Sequence, residues 1–127
     1  IDPISKQIYI FSKREKEISL YKASPLFFKD GDKVTLQKLI KLPYTWVTSA
    51  DMSKDGRHIV IKTLSTVYYW RRNNNETVEQ AMSKPAKELP YVIEKQGEGI
   101  TITASNNGYV TISEGKKAPM NYYKWKF

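Results

Sequence analysis

The stretch Trp46-Val47-Thr48-Ser49-Ala50-Asp51-Met52-Ser53-Lys54-Asp55-Gly56-Arg57-His58-Ile59-Val60-Ile61-Lys62-Thr63 decides the fold. Its first seven residues read as a strand. Ser53-Lys54-Asp55-Gly56 reads as a tight turn, with Gly56 supplying the positive φ that an Asp-Gly hairpin needs. Arg57–Thr63 returns as the next strand, and Thr66–Trp70 follows as a third. Beyond the polar Arg71–Asn75 loop, Thr77–Met82 is the one helical stretch, a short helix near 77–83 stopped by Pro85. Pro90–Glu94 reads as an outer strand.

A similar run recurs downstream. Gly99–Thr103, the Ser105-Asn106-Asn107-Gly108 turn, Tyr109–Ser113 and Asn121–Trp125 repeat the order strand, turn, strand, aromatic strand. The turn glycines Gly56 and Gly108 stand 52 residues apart. The first part of the chain fits more loosely and lacks the turn glycine. It has Asp2-Pro3, strands over Gln7–Ser12 and Glu17–Lys22 joined by the charged Lys13–Lys16 turn, and a segment over Val34–Ile40 that reads as a strand or a short helix, with the flanking Asp-Gly turn and β-branched residues favouring the strand. A period near 50 with several short strands per unit is the sequence signature of propeller blades, since a small twisted sheet with two apolar faces is buried only by stacked neighbours. The expected fold is all-β: antiparallel four-stranded blades forming a partial propeller of about three, in units 1–42, 43–96 and 97–127. The competing reading is an antiparallel sandwich or barrel. Closed propellers need at least about four blades. Upstream blades or a second copy are therefore expected to cover the sheet edges, and a chain opening on Ile1 rather than Met favours an upstream part.

Of 127 residues, 40% are hydrophobic, enough for a core, and there is no cysteine, so disulfides and thiolate zinc sites are excluded. The net charge of +8 raises the question of a polyanion partner. The excess is spread along the chain, +4 up to Leu42, +2 over Pro43–Gln96 and +2 thereafter, so lysines solvating strands explain it better than a nucleic-acid patch. No segment has the length of a membrane-spanning helix. A membrane is expected only through an anchor outside this chain. His58 is the single histidine, which argues against a transition-metal site. There is no Gly-x-Ser-x-Gly elbow and no phosphate-binding glycine loop.

Val47–Arg57, followed by Lys62-Thr63 and Tyr68-Tyr69-Trp70, and later Gln96-Gly97-Glu98-Gly99-Ile100 and Ser113-Glu114-Gly115, resembles a group of uncharacterised exported bacterial propellers of the six-bladed TolB-like or phytase- and esterase-like type. The chain departs from that pattern at Lys62 and Leu64, where Arg and Tyr are usual, and at Ser49, where Gly is usual. The resemblance implies an exported protein, periplasmic, surface-bound or secreted. Its expected role is non-catalytic: presenting a surface or channel to a protein or small-molecule ligand. Thr48, Asp51, Glu98 and Glu114 are the ligand- or channel-facing candidates. The alternative it implies is part of a calcium-dependent phytase- or lactonase-like hydrolase, with Glu98 as the calcium candidate. A calcium site needs six or more oxygen ligands, which one carboxylate cannot supply. Asp51 and Asp55 read as structural residues, Asp55 in the turn and Asp51 capping the next blade. No catalytic residue is assigned.

Overall fold

The computed structural model describes residues 1–24 and 28–126. Ten strands and one short helix follow in order: β1 Ile8–Phe11, β2 Ile18–Ala23, β3 Gln37–Leu42, β4 Ser49–Met52, β5 His58–Lys62, β6 Val67–Arg71, α1 Val78–Met82, β7 Lys87–Leu89, β8 Gly97–Ile102, β9 Gly108–Ser113 and β10 Met120–Lys124. They form three antiparallel sheets, β1-β2-β3, β4-β5-β6-β7 and β8-β9-β10. The fold is all-β. Only the middle sheet has four strands; the outer two have three each among the described residues.

Alternation fixes the faces. On β5, Ile59 and Ile61 join the core shared with sheet 1, while Val60 joins the core shared with sheet 3. On β6, Trp70 and Tyr68 go with the first core, and Val67 and Tyr69 with the second. The first core adds Ile18, Leu20 and Leu42 from sheet 1 and Val78, Ala81 and Met82 from α1. The second adds Leu89, Ile100, Ile102 and Tyr109. Each large apolar side chain removed from water stabilises by about 2 kcal/mol. A hydrogen bond contributes about 1 kcal/mol net. Stacking therefore carries the fold, and polar contacts between sheets set how the sheets align.

The repeat is present, with a different correspondence from the one the glycines suggest. Three corners close with the same backbone bond: Asp2 N donates to Gln7 O (2.9 Å), Ser53 N to His58 O (2.9 Å) and Thr103 N to Gly108 O (3.0 Å). Gly56 N donates to Ser53 O, and Asn106 N to Thr103 O. The counterpart of Gly56 (φ 69°) is thus Asn106 (φ 54°), 50 residues on, and Lys6 (φ 61°) is the left-handed residue of the first corner. Asn is one of the few non-glycine residues that enter this region readily. Gly108 is instead the first residue of β9. A Cβ there would overlap the Tyr123 carbonyl oxygen and press on the Tyr122 ring.

Three further expectations are corrected. The outer strand is β7, Lys87–Leu89, paired with β6, and not Pro90–Glu94; Pro90 has no N–H to give a ladder, and Val92 and Ile93 are exposed. The third strand is Gln37–Leu42 rather than Val34–Ile40. Strand β4 starts at Ser49 because Trp46 adopts a left-handed φ of 56°, which no regular strand accommodates. The helix lies where Thr77 places it: its side chain accepts from Gln80 N while the Gln80 side chain caps the Thr77 amide.

Candidate functional site

The polar chemistry concentrates on the seam where β4 and β8, the first strands of sheets 2 and 3, run side by side. Thr48 Oγ1 donates to Gly97 O (3.0 Å). Ile100 N donates to Ser49 Oγ (3.2 Å). Asp51 Oδ2 accepts from Ile102 N (2.7 Å) and Thr101 Oγ1 (2.9 Å), while its Oδ1 accepts from Met52 N (2.8 Å). The two sheets are laced by side chain-to-backbone bonds in place of a shared ladder. Thr48 and Asp51 both belong to this lacing.

Behind it lies a buried cation. Lys62 is 0% exposed at the end of β5, directly after the apolar Ile59-Val60-Ile61 run. Its Nζ donates to the carbonyl oxygens of Gly97 (2.5 Å) and Thr63 (3.2 Å) and stands 4.6 Å from the centre of the Tyr91 ring. Burial pushes its pKa down, opposed by the carboxylates of Glu94 and Glu98. Lys62 Nζ, Tyr91 OH and Glu94 Oε2 converge where Gly97 has no side chain. Glu94 Oε1 is in turn held by Thr111 Oγ1 (2.6 Å) and Asn121 Nδ2 (2.8 Å). The cluster is a saturated network: the ammonium has carbonyl, π and carboxylate neighbours, as a buried charge requires. Sequence reading passed over it. The available signal was a lysine ending an Ile-Val-Ile run facing a Gly-Glu-Gly segment.

His58 is buried on the same face of β5. Its Nδ1 is 3.0 Å from Tyr69 OH, and its ring stacks on Trp125 at 6.0 Å. Tyr109 stacks on Tyr123 at 4.9 Å in the same group. Burial pushes the His58 pKa down; Asp55 opposes this, and Arg71 and Arg57 add to it. These aromatics are packing residues.

The other two candidates take no part in the lacing. Glu98 sits at an irregularity of β8, between Gly97 and Gly99, and pairs with Lys13 at 3.7 Å. Glu114 is exposed just past β9, its amide donating to Gln96 O (2.8 Å). The four candidates are not brought together. Asp55 accepts from Ser53 Oγ (2.5 Å) and Arg57 N (3.0 Å), and so closes its turn away from Asp51. Among the described residues no group of three or more His, Cys, Asp or Glu side chains is placed to hold a metal ion.

A cleft of about 510 Å³ opens at the corner end, beside Gly56, Arg57, Arg72 and Asn73–Thr77. Its buried guanidinium is already engaged: Arg72 Nη1 lies 2.9 Å from Asp2 Oδ1, and Nε donates to Glu76 O (2.6 Å). Burial pushes the Asp2 carboxyl up, but hydrogen bonds from Ser5 and Ile4 and the Arg72 guanidinium outweigh it and hold the pKa below the usual carboxylate range. The pair ties the first corner to the end of β6.

No family model, curated protein or solved structure matches the chain.

Proposed function

We propose that the chain is a run of propeller-type blades and works as a non-catalytic scaffold, the interaction portion of an exported protein. One observation carries the reading: the middle sheet is covered on both faces by sheets built to its own plan. Such stacking produces a rigid body whose function lies on its surfaces. The chemistry of the interior agrees with this role. Thr48, Asp51, Lys62 and Glu94 are spent on holding sheets together, and His58 is engaged with Tyr69. The export part of the reading rests on the resemblance of Val47–Arg57 and the motifs after it.

The test is a calcium titration of the folded chain, read by thermal unfolding, together with esterase and phosphatase assays. The scaffold reading predicts an unchanged Tm and no turnover. A Tm that rises with calcium, accompanied by hydrolysis abolished by Glu98→Gln, would replace it with the hydrolase reading.

A further inference from the structure

The two ends of the stack carry the residues that the middle sheet buries. On one face of sheet 2 the cross-strand pairs are Val60–Tyr69 and Lys62–Val67, all buried under sheet 3. The same positions of sheet 3 hold Val110–Tyr122 and Ile112–Met120. These point away from the stack, and Ile112, Met120 and Tyr122 are 42%, 70% and 53% exposed. Where sheet 2 has the cation Lys62, sheet 3 has Ile112, so this end face is the more apolar of the two.

The opposite face of sheet 2 pairs Ile59 with Trp70 and Ile61 with Tyr68, packed on sheet 1. The same positions of sheet 1 hold Ile8–Ala23 and Ile10–Tyr21, of which Ala23 is buried and Ile8 and Tyr21 half-buried. Tyr9 and Phe11 turn inward to the core, so Ile8 and Ile10 face outward, and Ile10 is 41% exposed.

One chain therefore presents both halves of an interface it has already built twice internally. We propose that the occupant of each end face is a second copy of the chain, docked head to tail, with the Ile112–Tyr122 face of sheet 3 against the Ile8–Ile10 face of sheet 1. The contact is heterologous, and it closes when the rotation completes a ring. Two copies supply six sheets, within the four to eight of closed propellers. The proposal rests on the blade reading above. Each copy carries +8, so the copies repel and association strengthens as salt screens them.

The test is light scattering and sedimentation of the wild-type chain, of Ile112→Lys and of Ile10→Lys. The wild type is expected at twice the 14.7 kDa chain mass, dissociating on dilution. Each variant is expected to associate at least about tenfold more weakly. Their equimolar mixture is expected to recover a two-copy species, because each keeps the face the other has lost. Tyr122→Asp serves in place of Ile112→Lys if circular dichroism shows the latter unfolded. Wild type remaining single up to about 1 mM overturns the second copy. So does a mixture no larger than its components, which would mean that like faces pair. If the β5 amides stay protected from hydrogen exchange in that single species, the blade reading stands without the second copy; if they do not, both fall.

Discussion

Gly108 and Asn106 show what single residues contribute. Both lie near one corner, and sequence reading gave the turn to the glycine. The left-handed residue is Asn106, and Gly108 is required because the Tyr123 carbonyl leaves no room for a Cβ. Gly108→Ala is expected to destabilise by about 2 to 3 kcal/mol, the range of a backbone overpacking strain, measured by urea unfolding. Asn106→Gly is expected to be neutral or stabilising: glycine suits φ 54°, and the substitution removes the Asn106 Oδ1, which is buried without a partner. A neutral Gly108→Ala with a costly Asn106→Gly would restore the glycine-to-glycine correspondence. His58 gives the chain a pH dependence whose sign follows from its depressed pKa. The unfolded imidazole takes up its proton near pH 6.5 and the folded one only at lower pH. Acidification below about 6.5 thus favours the unfolded state, at most by about 1.4 kcal/mol per pH unit, and stability is at its full value above that. Urea midpoints between pH 7.5 and 5 measure it, and the slope should vanish in His58→Gln. The Asp2 carboxyl, held below its ordinary value of 3.8, begins to lose its contribution only at pH values lower still.

At the scale of elements, the β4–β8 seam differs from the ladders within sheets because side chains make its bonds. Asp51 accepts two of them, from Ile102 N and Thr101 Oγ1. Asp51→Ala leaves Ile102 N without an acceptor in a half-buried position, and a loss of about 1 to 3 kcal/mol is expected. Amide exchange should rise in β8 well before it rises in β2; equal protection in both strands would mean that the seam does not hold the third sheet. Most strands were legible in the sequence because alternation and aromatic content mark them, and α1 was legible from Thr77, Gln80 and Pro85. The outer strand was misplaced because Tyr91-Val92-Ile93 has the stronger β composition. Pairing is nevertheless decided by register, which sets Leu89 opposite Val67. Of the candidate site, Asp51 was legible as a cap on the neighbouring sheet. Lys62 and its carboxylate were not, because their partners are a carbonyl and side chains 17 to 35 positions away, and no local spacing encodes such contacts.

For the whole molecule, the consequence of the 50-residue plan is that each sheet has a face for the sheet before it and a face for the sheet after it. The middle sheet displays this on neighbouring residues of one strand. Tyr68 packs against Tyr44, ring centres 4.1 Å apart, on the side of sheet 1. Tyr69 packs against Trp125 at 5.3 Å and faces His58 on the side of sheet 3. Nuclear Overhauser contacts between aromatic protons test this most directly. Stacked sheets require Tyr68 to show contacts with Tyr44 and none with Trp125, and Tyr69 to show contacts with Trp125 and none with Tyr44. Contacts from both tyrosines to the same partner would place both faces of β6 on one side, and the stack of equivalent sheets would be wrong.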